Sequence, residues 1–162
     1  MTEPRWLDET EARVWRAHLR VQRELMGTLS RLLAHDSGLS GAEYEVLVPL
    51  SEAPDGLLRA RDLSEEVDWE RSRLSHQISR MEKRGLVARE ECPDDARGAM
   101  VRLTEAGRAA VEGAAPGHVE AVRRYFFDAL SRDDVDVLDA LLGKLLAGLP
   151  NARSISGDEL RP

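Results

Sequence analysis

Between residues 60 and 103 the chain carries two short helical patterns joined by a tight turn, followed directly by strand, turn and strand. Few folds accommodate that order. The first pattern covers residues 60–67, with Leu63 and Val67 turned inward. After Asp68 the second covers residues 69–84, where Leu74, Ile78 and Met81 form one apolar stripe. Gly85 stands where a helix of this length ends in a left-handed residue. Residues 86–92 then turn strand-like, 93–98 are turn-forming, and 100–103 return as a second strand. Two helices so joined have the proportions of a helix-turn-helix, and the hairpin behind them reads as a wing. The predicted fold class is mainly α with a small β-hairpin wing: a winged helix-turn-helix.

Helical patterns flank this lobe on both sides. Residues 8–33 form one long helix in which Val14, His18, Val21, Leu25, Leu29 and Leu32 recur at helical spacing, and Gly38 stops it. Ser40-Gly41-Ala42-Glu43 reads as a capping box opening a second helix to about Ser51, with Tyr44, Leu47 and Val48 on its apolar side. Pro54-Asp55-Gly56 forms a turn, and Leu57 and Leu58 a very short strand. Behind the wing, Thr104 caps a long helix running to about Leu130, which Pro116-Gly117 should kink or break. Ser131, with Asp134 three residues on, opens a last helix ending near Leu149. Its apolar positions are Val135, Leu138, Leu141, Leu142, Leu145 and Leu146.

The apolar faces of the first and last helices exceed what a small central lobe can cover. Two copies burying them together would make a symmetric homodimer; the alternative is a monomeric bundle that covers them internally. The expected organisation is dimerisation helices at 1–38 and 104–149, a winged helix-turn-helix lobe at 39–103 and a poorly ordered, flexible tail at 150–162.

Composition agrees with helices. Hydrophobic residues make up 42% of the 162, but aromatic ones only 4%, so the core is mostly Leu, Val and Ala. No apolar run approaches the ~20 residues of a membrane helix, and the first residues lack a signal-peptide pattern, so a cytoplasmic location with no membrane partner is expected. A single cysteine, Cys92, excludes a disulfide framework within the chain and a Cys-cluster zinc site. The net charge of -7 looks wrong for a nucleic-acid binder, but its distribution does not. Residues 71–89 hold six cations (Arg71, Arg73, Arg80, Lys83, Arg84, Arg89) against Glu82 alone, a local +5. Such a segment suits phosphates, and equally a solvated helix face.

Two stretches together carry a resemblance: Arg73-Leu74-Ser75-His76-Gln77-Ile78-Ser79-Arg80-Met81-Glu82-Lys83-Arg84-Gly85-Leu86-Val87-Ala88-Arg89, and Asp94-Asp95-Ala96-Arg97-Gly98-Ala99-Met100-Val101-Arg102-Leu103-Thr104-Glu105-Ala106-Gly107. They resemble the multiple antibiotic resistance regulator (MarR) family of bacterial transcription factors, whose Asp-x-Arg wing runs into a Leu-Thr-x-x-Gly helix start. The helix order matches over residues 8–149. The resemblance implies a winged-helix dimer whose first, fifth and sixth helices make the dimerisation region. It also implies a regulator of transcription, commonly a ligand-responsive repressor, acting on double-stranded DNA at a pseudo-palindromic operator.

A helix fits the major groove, with its N-terminal half at the base edges. Arg71, Ser72, Arg73, Ser75 and His76 fall there; Gln77 lies closer to the core side. Arg80, further along, suits a phosphate. In the wing, Arg97 would enter the minor groove. The resemblance implies that Asp95 pairs with a nearby Arg and fixes the wing; the alternative for both is a plain polar turn. Trp69, beside the turn, reads as a packing residue.

The resemblance further implies a small-molecule pocket between dimerisation helices and DNA-binding lobe, often for phenolic or other aromatic anions. Trp15, His18 and Tyr44 are the candidates to line it, and core or dimer contact is the competing role for each. No cofactor is expected. Cys92, at the end of a strand and without a resolving cysteine, reads as a packed thiol rather than a redox switch. His18, His35, His76 and His118 lack close metal-ligand spacing, although some relatives sense zinc.

An enzyme is the first rival class. Ser75 and His76 are neighbours on a helix, pointing about 100° apart, so they cannot form a nucleophile–base pair. Asp94 and Asp95 lack an acid/base partner, and there is no Gly-rich phosphate loop. The second rival is a winged-helix adaptor that binds protein instead of DNA. It calls for a neutral or acidic second helix, where this one is basic.

Overall fold

The computed structural model describes residues 4–92 and 99–150. The elements follow in the order α1 (Glu9–Ser37), α2 (Gly41–Glu52), β1 (Leu57–Arg59), α3 (Ala60–Glu66), α4 (Arg71–Lys83), β2 (Val87–Glu91), β3 (Ala99–Leu103), α5 (Glu105–Tyr125) and α6 (Arg132–Gly148). Short 3-10 turns occupy Pro54–Gly56 and Phe127–Ala129. The chain divides after Val122 into two compact units. The mainly helical winged helix-turn-helix is the architecture expected from the sequence.

Local chemistry sets the helix starts. At α2 the Glu43 N–H donates to Ser40 Oγ (3.3 Å) while Glu43 Oε2 accepts from the Ser40 N–H (2.9 Å), the reciprocal box the sequence predicts. Ser131 and Asp134 repeat it at α6. A third box, Asp8 with Glu11, opens α1. α4 ends as expected at Gly85 (φ 72°): the Leu86 N–H reaches the Met81 carbonyl at 3.0 Å and the Gly85 N–H that of Glu82 at 2.9 Å. α5 starts at Thr104, whose Oγ1 accepts from the Gly107 N–H (2.9 Å) and donates to the Gly85 carbonyl (2.7 Å), tying the new helix to the end of α4.

The sheet holds three antiparallel strands in the order β1-β3-β2. β2 pairs with β3 from Val87↔Leu103 to Glu91↔Ala99, and β1 pairs Leu57 with Arg102 on the other edge. On central β3, Val101 and Leu103 are buried, while Arg102 reaches Glu90 on β2 and the Asp55 carbonyl beyond β1. The core of the first unit is aliphatic: Leu39, Val46, Leu47, Leu50, Leu63, Ile78, Met81 and Val101 are all at most 1% exposed. Each such side chain contributes roughly 1.5–3 kcal/mol by leaving water. Trp69 joins this cluster.

α5 departs from expectation in two respects. The helix is not broken at Pro116-Gly117 but runs on to Tyr125. Pro116 removes one donor to the Glu112 carbonyl, and both residues are exposed, so water can satisfy what the proline leaves open. Pro49 inside α2 is half-buried, but Glu45, whose carbonyl it leaves without a donor, is exposed. The helix also stops short of Leu130, because Phe126 leaves helical backbone at φ -123°, ψ -58° and the 3-10 turn follows. α4 is shorter than expected at its start: Asp68 takes φ 51°, so Trp69 precedes the helix.

α1 buries only Leu29 and Leu33, near its C-terminal end, leaving Val14, Trp15, Leu19, Val21 and Met26 exposed. α6 buries none of its residues.

Candidate nucleic-acid interface

The two faces of α4 differ sharply. Leu74, Gln77, Ile78 and Met81 are buried, so the helix is seated on the core. Every α4 residue expected to face DNA (Arg71, Ser72, Arg73, Ser75, His76 and Arg80) is exposed. All six share the outer side of one rigid element. Gln77, the weaker candidate, is indeed on the core side.

The basic segment is less basic at its surface than its sequence count suggests. Arg84 turns inward: its Nη1 donates to both carboxylate oxygens of buried Glu43 at 2.6 Å, and Nη2 to the Gly38 carbonyl at 3.1 Å. Arg89 folds back over α4. Its Nη1 donates to Glu82 Oε2 at 2.6 Å, and its Nη2 to the Ser75 carbonyl (2.9 Å) and Ser79 Oγ (3.1 Å). The surface charge of α4 therefore comes from Arg71, Arg73, Arg80 and Lys83. Arg80 Nη2 donates to Gln77 Oε1 at 2.5 Å. The Arg73 guanidinium carbon lies 3.9 Å from the centroid of the Trp69 ring.

These inward contacts escaped the sequence reading. The Glu43–Arg84 pair joins residues 41 positions apart, and only the capping role of Glu43 is visible locally. Burial on its own would raise the Glu43 carboxyl. Hydrogen bonds from the Ser40 N–H, the Arg84 guanidinium and the Ser40 hydroxyl outweigh it and hold the group below the usual glutamate range. At the wing, a hydrogen bond from Arg102 likewise lowers Glu90. Asp95 and Arg97, the wing candidates, lie outside the described residues.

The three effector-pocket candidates form two separate ring pairs. Trp15 and His18 stack on α1 with centroids 5.7 Å apart, and Trp15 is 53% exposed. Tyr44 on α2 meets His118 on α5 at 4.7 Å. His118, which the sequence reading left unassigned, has its Nδ1 buried without a hydrogen-bond partner among the described residues. Tyr44 and His118 line a groove of about 420 Å³ with Val48, Pro49 and Val67, rimmed by Glu45, Glu52 and Glu66. Trp15 and His18 are not part of it. Burial, aided by the Glu52 charge, raises the Tyr44 phenol above its ordinary value. Cys92 is buried, as a packed thiol should be. Among the described residues no helix is long and apolar enough to cross a membrane.

Known proteins share this fold. A family model described as "MarR family" matches residues 37–98, which include α2 to β2. The crystal structure of Sco3205, a MarR family transcriptional regulator from Streptomyces coelicolor in complex with DNA, is 39% identical to this chain. It aligns over 93% of this chain and 94% of its own, with a TM-score of 0.87. AbsC, a MarR family transcriptional regulator from the same organism, is 42% identical over 90% of this chain and all of its own, with a TM-score of 0.82. An HTH-type transcriptional regulator of Bacillus cereus is 28% identical over 107 residues, 66% of this chain and 69% of the relative. A winged helix-turn-helix, identity near two in five and almost complete mutual coverage leave one assignment: the chain belongs to the MarR family of transcriptional regulators.

Proposed function

We propose that this regulator works as a homodimer that binds double-stranded DNA by laying α4 of each copy in the major groove of a pseudo-palindromic operator. The observation that carries the reading is the outer face of α4, where Arg71, Ser72, Arg73, Ser75 and His76 stand exposed together opposite the buried Leu74, Gln77, Ile78 and Met81. Arg forks match guanine edges, and each good bidentate pair discriminates by roughly 1–3 kcal/mol. Arg80 takes a phosphate and sets register; Arg97 of the wing enters the minor groove, with Asp95 holding the wing in place. Sco3205, so similar over its whole length, was crystallised with DNA.

Dimerisation is supported by the exposed stripes on α1 and α6, where Leu141, Leu142, Leu145 and Leu146 are each at least 43% exposed in the single chain. Apolar area of that kind marks an interface. On this reading the dimerisation helices are 1–38 and 104–149, the DNA-binding lobe is 39–103, and the regulator is a repressor released by a small aromatic ligand. The Tyr44–His118 groove is its seat, and the glutamate rim favours a neutral or cationic aromatic body over an anion.

The test is fluorescence anisotropy of the purified protein against its own upstream intergenic DNA, at several salt concentrations, with scrambled duplex as control. Tight, salt-steep binding of the native fragment alone, with two chains per site, is expected. Equal weak binding of both duplexes would favour the adaptor reading, in which the winged helix recognises protein. No binding even at low salt would remove DNA recognition altogether.

A further inference from the structure

The exposed face of α4 is not uniform in how its side chains are held. Arg71, Ser72 and His76 are exposed, and among the described residues their side chains make no hydrogen bond, ion pair or ring contact. Arg80 is turned toward Gln77. Arg73 alone among the five candidate base readers has its guanidinium seated on a ring, 3.9 Å from the Trp69 centroid.

Trp69 is held at its main chain and by burial of its ring. Its backbone N–H donates to the Ser64 carbonyl at 3.0 Å, and the Ser64 hydroxyl donates back to the Trp69 backbone carbonyl at 2.8 Å. Ser64 is buried, and Trp69 is 8% exposed and belongs to the core cluster. The left-handed backbone of Asp68 (φ 51°) turns the chain so that Trp69 sits just ahead of the helix, one turn before Arg73. Buried Ser64 of α3 thus pins the Trp69 backbone, the core packs the Trp69 ring, and that ring carries the Arg73 guanidinium of the second helix.

We infer that Trp69 is a positioning residue that presets the Arg73 fork for guanine, making Arg73 the dominant specificity contact of α4. The inference rests on the DNA-binding function proposed above. A stacked guanidinium keeps its in-plane N–H donors free, because the ring occupies a face and not an edge. Bidentate recognition needs those edges in a fixed plane. Ordering a free arginine on binding sacrifices rotamer entropy, whereas Arg73 has already surrendered part of it on folding. Arg71, equally cationic but unsupported, suits a phosphate or a water-mediated contact.

The experiment is selection from a randomised duplex pool by the wild type, Trp69→Phe, Trp69→Leu, Arg73→Ala and the Trp69→Leu/Arg73→Ala double variant. Anisotropy on the selected duplex and on scrambled DNA follows. Trp69→Leu is expected to weaken the selected duplex about three- to tenfold while leaving scrambled binding and its salt slope unchanged. Its lost preference should fall on the base pair to which Arg73→Ala becomes indifferent, and the double variant should be no weaker than Arg73→Ala. Trp69→Phe, which keeps a ring, should retain most of the preference. Equal losses on all duplexes, or fully additive losses, would overturn the proposal. NMR of the Arg73 Nε–Hε group in the free protein supplies the readout without DNA: an upfield ring-current shift is expected, vanishing in Trp69→Leu. No such shift in a wild type that still binds specifically would overturn the platform alone. A shift in a protein that binds no duplex would overturn the DNA reading, and the proposal with it.

Discussion

Glu43 is a buried carboxylate whose charge is tolerated because Arg84 and Ser40 surround it. Removing Arg84 leaves that charge short of its partner, and Arg84→Ala should lower stability by about 1–3 kcal/mol at neutral pH in urea unfolding. The figure is at the low end for buried pairs because the Arg84 side chain is half exposed and water can replace part of it. The sign with pH follows from the lowered carboxyl. Its stabilisation is complete above the unfolded glutamate value and is lost as pH falls through the lower folded value. The gap between wild type and Arg84→Ala should therefore close on acidification and be widest near neutrality. A gap that stays constant down through the carboxylate range would show that Arg84 acts by contact area and not through the Glu43 charge.

At the scale of elements, the joint between α4 and α5 leaves the least room for a side chain among the described glycines. A Cβ built on Gly107 would lie 2.0 Å from the Leu86 carbonyl oxygen and 2.8 Å from Leu103. Both neighbours are anchored: Leu86 closes the α4 cap, and its carbonyl also accepts from the Thr104 N–H at 3.2 Å. Gly107→Ala therefore should destabilise by about 3 kcal/mol, the upper end for overpacking, because backbone must move to admit the methyl. A thermal unfolding midpoint within a degree of wild type would mean that the joint yields far more easily than its hydrogen bonds suggest. This joint also marks what the sequence could and could not convey. Gly85, Thr104 and the Ser40 and Ser131 boxes were legible because capping chemistry acts within a few residues, and the α4 stripe because its period is helical. The fates of Arg84 and Arg89 were not, since each is decided by a carboxylate brought near by folding. Pro116 misled for the opposite reason: a local rule for breaking helices assumes that the lost hydrogen bond has no substitute, and on an exposed face water is one. Among the site residues, exposure of the α4 candidates followed from that stripe. Tyr44 could not be sorted from Trp15 and His18 by periodicity, because its ring pairing with His118 joins helices far apart in sequence.

For the whole molecule, the question is what the uncovered leucines are for. A chain of net charge -7 approaches DNA against its own repulsion, with only four surface cations on α4 to oppose it. One such face makes few phosphate contacts, and affinity of a single lobe should be weak and highly sensitive to salt. Joining two lobes makes the second contact intramolecular and multiplies affinity without any new side chain, provided that the spacing of the two α4 helices fits the DNA repeat. The α6 stripe provides the means, since a stable dimer buries about 1,200–2,000 Å² in total and Leu142, Leu145, Leu146 and Leu149 are already bare. Introducing charge there separates dimerisation from the fold of the first unit, whose core lies elsewhere. The Leu142→Glu/Leu145→Glu variant should sediment as a monomer where the wild type sediments as a dimer. It should keep the near-ultraviolet signature of the buried Trp69 and lose at least about a hundredfold in operator affinity, the low end of what avidity supplies. Unchanged mass would remove α6 from the interface. A clean monomer that still bound its operator at full strength would mean that one α4 face suffices, and that the leucines serve some other contact.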